Sequence, residues 1–436
     1  MPVRRSFVSC SSILRAEKCR HQAYRVCGMP ATLAGRTTMR YHADIVHRGV
    51  APLSRARKIQ TIFVVAVLVL LAVYLAGGWY YSGQIEAEAF VVDHEEDPFD
   101  LRVASIAGTR ITLETTPETD LDGRWDKPGL WGLESEDTYN QVGTIVSRSG
   151  DSVVRELSPL GTLPSVGDAV RISSFTFPGD PLSAHGIEFQ EIGIPTTLGT
   201  FPAWLTFGDS DTWIILVHGK GSDRRAFLRM LPMFVERGYP TLNITYRNDP
   251  GLPLSPTGYY QFGVDEWEDV EAAATFALAA GAKDLVLVGQ SMGGGIVASF
   301  LYNSNVAHRV KGVILDGPAL NFDALVDYGA TQRRILVLPL PGALTGLAKF
   351  LATLRFGVDF DKMNYLKRAQ ELSTPILLFQ GSEDLSVPES LSAQFKEARP
   401  DLVEYHPFEG AVHVGAWNLD PQRYEDAVHS FLARLD

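Results

Sequence analysis

Leu285-Val286-Leu287-Val288-Gly289-Gln290-Ser291-Met292-Gly293 sets a short apolar run directly against a Gly-x-Ser-x-Gly turn. Four consecutive apolar residues bounded by glycine read as a strand buried on both faces. The pentapeptide then forces a sharp turn from strand to helix and lifts one serine hydroxyl clear of the sheet. Small flanking residues are needed because the turn is strained and the next helix packs close to the strand. Three fixed positions in five arise readily by chance, so the rest of the chain must supply a base, an acid and an oxyanion site.

Upstream, Trp213-Ile214-Ile215-Leu216-Val217 reads as another buried strand and runs into His218-Gly219-Lys220-Gly221. Main-chain N–H groups of such a turn, with that of the residue after the serine, can hold a developing oxyanion. Lys220 and Met292 are the expected donors. The Lys220 side chain is expected to be a solvated surface charge, and His218 to brace its loop. Downstream, Pro375-Ile376-Leu377-Leu378-Phe379-Gln380 is a third short strand, leading to Gly381-Ser382-Glu383-Asp384-Leu385-Ser386-Val387-Pro388. Tyr405-His406-Pro407-Phe408-Glu409-Gly410-Ala411-Val412-His413 then provides a strand and a loop with histidine. The order is Ser291, Asp384, His413.

V-H-G-K-G, G-Q-S-M-G-G, G-S-E-D-x-x-V-P and G-x-V-H in this order resemble the α/β-hydrolase superfamily, nearest its serine esterase, thioesterase and aminopeptidase-like branch. The resemblance covers about residues 186–436. It implies an acyl-enzyme on Ser291, with His413 as base, Asp384 as orienting acid, and no cofactor or metal. His406, before Pro407, is the alternative base. Asp316, ending the run Val313-Ile314-Leu315-Asp316, is the rival acid, with Glu383 behind it.

Alternating strand and helix signals predict a doubly wound, mostly parallel sheet. A helix is expected over Asp223–Tyr239 and a strand over Thr241–Tyr246. Asp265 and Glu266 are read into the first turn of a helix that stops near Gly281, and a final helix runs from Pro421 to about Leu435. An insertion at about 320–373, holding Ile335-Leu336-Val337-Leu338-Pro339-Leu340-Pro341 and a helical Leu344–Phe356, is expected to cap the site. Its aliphatic side chains either line an acyl pocket or only pack the cap onto the sheet.

Residues 62–76 are fifteen consecutive apolar side chains inside an uncharged span from Ile59 to Ile85, followed by Trp79, Tyr80 and Tyr81. About twenty residues cross a bilayer core, so a transmembrane helix is expected over 59–81. Residues 1–58 carry 12 Lys+Arg against 2 acidic residues, and the remainder carries a net −22. Basic flank and aromatic belt place the N-terminus in the cytoplasm and the enzyme outside. A signal peptide cleaved near Ala87-Glu88-Ala89 is the alternative. The basic segment shows no periodicity and reads as disordered. It holds Cys10, Cys19 and Cys27, whose spacing fits no zinc site, and it also fits a transit peptide or a true start at Met39.

Residues 86–180 alternate in runs such as Thr109–Glu114 and Val142–Val146 between Gly, Asp and Pro clusters, which predicts a small β-rich domain. Trp125 and Trp131 are read as its core. The acidic clusters His94–Asp97 and Glu118–Asp122 are read as solvated surface, without the spacing of a calcium loop. With a net charge of −12 and no basic stripe beyond the membrane span, nucleic-acid binding is excluded. The remaining classes are a membrane-anchored serine hydrolase acting on a small or lipid-like acyl substrate, a peptidase with the same triad, or an inert hydrolase fold used for binding.

Overall fold

In the computed structural model the run 285–288 is the middle of a strand, and its residues alternate between two apolar cores. Leu285 and Leu287 face one core, Val286 and Val288 the other, all with no exposure. Ile215 and Val217 against Ile214 and Leu216 repeat the division on the neighbouring strand. Continuous apolar runs are what a sheet covered on both faces requires. The structure describes residues 54–94, 97–119, 123–335 and 338–435. The cysteines, Met39 and nearly all of the basic N-terminal segment lie outside them, as do parts of both acidic clusters and of the 335–341 run.

The chain divides into two compact units, residues 1–62 and 63–436. Of the first, only the start of helix α1 (Arg55–Ile85) is described. This helix extends the expected span at both ends and is long and apolar enough to cross a membrane. Its apolar side chains from Phe63 to Leu75 are exposed, while Gly78 and Ser82 are buried. A wider helical turn, Glu86–Phe90, follows.

Six strands, β1 (Leu101–Ala107), β2 (Arg110–Thr115), β3 (Trp131–Glu134), β4 (Tyr139–Ser149), β5 (Ser152–Ser158) and β6 (Ala169–Ser173), close into a barrel in the order β1-β2-β5-β4-β3-β6. Alternate residues fill it: Leu101 and Val103, Ile111 and Leu113, Trp131 and Leu133. Trp131 is in this core and Trp125 packs on it. Buried Arg155 donates to the carbonyls of Lys127 and Gly129. It thereby pins the loop before β3, and burial lowers its guanidinium to about 10.

After helix α2 (Pro181–His185) come β7 (Phe189–Thr196), β8 (Gly199–Thr206), β9 (Thr212–Val217), α3 (Leu231–Val235), β10 (Thr241–Ile244), α4 (Trp267–Ala279), β11 (Asp284–Gln290), α5 (Met292–Asn303) and β12 (Val310–Asp316). The insertion holds α6 (Phe322–Gln332), a hairpin of β13 (Arg334–Ile335) and β14 (Leu338–Pro339), and α7 (Gly342–Phe356). The chain closes with β15 (Ile376–Gly381), α8 (Glu389–Ala398), β16 (Val403–Phe408), α9 (Ala416–Leu419) and α10 (Pro421–Ala433). Sheet order is β16-β15-β12-β11-β9-β10-β8-β7, parallel from β16 to β10 and antiparallel at β8 and β7. This is a mostly parallel, doubly wound sheet with a cap.

Two expectations are corrected. Asp223–Tyr239 is not one helix: a tight helical turn, Arg224–Met230, gives way to α3, where Pro232 lacks the N–H to continue the earlier ladder. Glu266 is not a dipole-facing carboxylate in a first turn. It lies fully buried before α4 and accepts from the amides of Gln261 at 2.7 Å and Gly263 at 2.8 Å.

Candidate active site

The carboxyl ends of β9, β11, β12, β15 and β16 converge, and each loop leaving them brings one group of the site. Ser291 sits between β11 and α5 at φ 51°, ψ −120°. That left-handed backbone is costly for serine and is held from outside. The Ser291 amide donates to the Asp316 carbonyl at 3.0 Å, and the Ala319 amide donates to the Ser291 carbonyl at 2.9 Å. Gly293 is obligatory, since a Cβ there would stand 2.1 Å from the Val217 carbonyl oxygen.

His413 Nδ1 lies 2.7 Å from Asp384 Oδ2, and Nε2 lies 2.8 Å from Ser291 Oγ. A carboxylate only accepts, so Nδ1 carries the proton and Nε2 accepts from the serine hydroxyl. Asp384 is buried but fully served. Its Oδ1 accepts from the amides of Ser386 at 2.8 Å and Val387 at 2.7 Å, and its Oδ2 also accepts from Gln380 Nε2 at 3.1 Å. Gln380 was not foreseen from sequence. It is held by Ser392, whose hydroxyl donates to its Oε1 at 2.8 Å, and it orients the carboxylate. The one available signal was a polar residue closing the apolar run Ile376–Phe379.

The rivals stand elsewhere. Asp316 is buried close to His413, with the hydroxyl of buried Tyr424 beside its carboxyl and no backbone amide on Oδ2. Burial raises its carboxyl to about 6, against the pull of Arg229 and His413. His406 Nε2 lies 2.9 Å from Glu404 Oε1 on the same strand, and Glu383 pairs with Lys127 of the barrel-side loop at 3.1 Å.

Gly219 lies against the serine turn: a Cβ built on it would stand 3.0 Å from Ser291 Cβ. This brings the 218–221 loop to the mouth of α5, where the Met292 amide opens the helix. Among the described residues, neither the Lys220 nor the Met292 amide donates to another protein group. His218 is completely buried, with Nε2 3.0 Å from Asp249 Oδ2 and Nδ1 2.9 Å from the Gly219 carbonyl. Burial opposes its charged form, yet Asp249 prevails and raises its pKa. The Lys220 side chain corrects the expectation of a solvated charge. Its Nζ donates to the Glu88 carbonyl at 2.6 Å and sits over the Tyr260 ring, and burial lowers its pKa.

Two cavities meet at Ser291 and His413. One, of about 360 Å³, lies toward the barrel and is lined by polar groups including Glu134, Arg171, Ser222 and Arg225. The other, of about 440 Å³, lies beneath the cap and is lined mainly by apolar side chains, among them Phe322, Leu325 and Val326.

A strained serine between strand and helix, on a doubly wound sheet with a cap, defines a hydrolase-type α/β domain. Residues 214–428 match the model of the Alpha/beta hydrolase family, and this part of the chain belongs to the α/β-hydrolase superfamily. Residues 102–173, the barrel, match a domain of unknown function (DUF8805). Among curated proteins there is no match. Similar solved structures include a Pyrococcus furiosus esterase, 21% identical over 57% of this chain and 92% of that one, with a TM-score of 0.47. An Exiguobacterium antarcticum esterase is 15% identical over 56% and 100%, at 0.41. A puromycin hydrolase is 19% identical over 76% and 46%, at 0.47. Likenesses this distant carry no weight for substrate or activity.

Proposed function

We propose that the protein is a membrane-anchored serine hydrolase that cleaves carboxylic esters or thioesters through an acyl-enzyme on Ser291. The observation that carries this reading is the pair of hydrogen bonds at His413, 2.8 Å to Ser291 Oγ and 2.7 Å to Asp384 Oδ2. A serine hydroxyl is a weak nucleophile until a base takes its proton. His413 Nε2 accepts that proton as Oγ attacks the acyl carbon, and Asp384 stabilises the imidazolium that forms. Amides of Lys220 and Met292 receive the negative charge that develops on the carbonyl oxygen. His413 then passes its proton to the leaving alcohol or thiol as the bond to it breaks. Water, deprotonated by the same Nε2, attacks the acyl-enzyme, and the acid leaves as Oγ recovers its proton.

The exposed apolar helix α1 supports anchoring, and the basic residues before it support a cytoplasmic N-terminus with the hydrolase on the far side. A fluorophosphonate probe tests the chemistry directly. The expected result is one labelled site, mapping to Ser291 and lost in Ser291→Ala. A folded full-length protein that takes up no label would refute the reading.

A further inference from the structure

The apolar cavity has an unexpected wall. Beside Phe322, Leu325 and Val326 of the cap stand Tyr81 and Ile85 of α1 and Ala89 of the turn that follows it. An anchor that served only as a tether would leave the cavity to the catalytic domain. Here the anchor completes it.

The cap also rides on the anchor. Helix α7 runs alongside α1 in the same direction: Leu344 touches Gly77, Leu347 fills the space over Gly78, and Arg355 meets Gly83. The Tyr74 hydroxyl donates to the Ala343 carbonyl at 2.7 Å, and Arg355 donates to the Trp79 carbonyl at 2.8 Å while stacking over its ring. Trp79 and Tyr80 are exposed and mark the interfacial level of a membrane helix. Tyr74 precedes Trp79 by about 7.5 Å along the axis. The start of α7 therefore lies on the hydrocarbon side of that level. Phe350 and Leu354, one turn apart on α7, are 58% and 66% exposed. Water gains nothing from two large apolar groups on one helical face, whereas the headgroup and acyl boundary buries them.

We infer that the apolar cavity holds the acyl chain of a membrane lipid ester, which enters sideways from the leaflet between α1 and the cap. This rests on the serine-hydrolase reading and names its substrate class. The polar cavity on the other side of Ser291 takes the alcohol portion and admits the hydrolytic water, since charged and hydroxyl groups solvate both. The acyl group accordingly falls on the apolar side.

Gly329 gives the test. It lines the cavity from α6, and a Cβ built on it meets no atom within 4 Å, so a larger side chain there grows into open space. Gln84 lines the same cavity from the anchor. Full-length protein in phosphatidylcholine vesicles would be assayed with p-nitrophenyl palmitate, p-nitrophenyl acetate and hexadecyl acetate. In Gly329→Phe and in Gln84→Trp, the palmitate-to-acetate ratio of kcat/KM should fall by about tenfold or more, because several methylenes lose their apolar contact. A ratio unchanged in whichever of the two variants folds overturns the inference. So does a loss confined to hexadecyl acetate, which would make the chain the leaving alcohol. Fluorophosphonate labelling of the unmodified enzyme separates the two failures: a labelled Ser291 with no chain-length effect sinks the lipid inference alone, and no label sinks the hydrolase reading beneath it.

Discussion

Asp384 and Asp316 lie on neighbouring strand ends, both buried, both close to His413, and they behave as opposites. Asp384 receives two backbone amides, the Gln380 side chain and the imidazole. Each of these hydrogen bonds offsets part of the cost of burying the carboxyl. Asp316 has no backbone amide on its Oδ2, and burial, outweighing Arg229, His413 and the neighbouring Tyr424 hydroxyl, carries its carboxyl up to about 6. Two equally buried acids thus differ in the N–H groups that serve them, and the loop 384–387 is folded to supply those of Asp384.

The largest effect expected is outside the pair and sets its scale. Ser291→Ala should lower kcat by roughly 10⁴–10⁶-fold in ester hydrolysis. Asp384→Asn should cost about 10⁴-fold, because an amide in place of the carboxylate favours the wrong imidazole tautomer. If Asp316→Asn cost as much, the contrast between the two acids would be broken. Gly317→Ala sharpens it from another side. Gly317 has φ +54°, and a Cβ there would lie 3.3 Å from His413 Nδ1 and 3.4 Å from Asp384 Oδ2. Small displacement of that pair should lower kcat by about 10²-fold with little change in KM.

Asp316→Asn should have the smallest catalytic effect, within about tenfold, and should act on stability instead. The folded pKa of Asp316 is raised from 3.8 to about 6. Its protonated form is thus favoured by folding, a contribution fully present below about pH 4 and lost as pH rises through about 6. The asparagine variant has no such loss. Relative to the unmodified protein it should gain about 2 kcal/mol between pH 4 and pH 7, read from urea midpoints at both. An equal pH dependence in the two proteins would show that Asp316 stays ionised when buried.

Much of this site was legible because its chemistry fixes local sequence. The strained turn at Ser291 needs glycine on both sides, and a strand buried on both faces needs a run such as 285–288. The β-rich character of residues 86–180 announced itself through alternation, and the long apolar helix α1 through its length. What could not be read was contact between distant segments. Nothing in the sequence near Gln380 or Ser392 says that Ser392 will hold Gln380 against Asp384, and nothing near Lys220 says that its ammonium will reach the Glu88 carbonyl. The early end of the Asp223 helix was in principle visible at Pro232, but helical spacing of apolar residues masked it. Glu266 was misread because its partners, two amides in the preceding loop, depend on how that loop closes.

The mounting of α1 has a further consequence. Phe90 is wholly buried among Phe262, Phe322 and Phe360, and the Tyr260 amide donates to its carbonyl at 2.9 Å. Glu86 accepts from the Tyr259 hydroxyl, and Glu88 pairs with Arg333. No slack chain separates α1 from the catalytic domain, whereas a flexible linker of thirty residues would roam about 30 Å. With α1 in a bilayer, as proposed, reach would be set by lateral diffusion and not by the length of a leash. On the proposed function, the hydrolase would work in cis, on the sheet of lipid in which it stands, and a neighbouring vesicle's cargo would stay out of range however high its concentration.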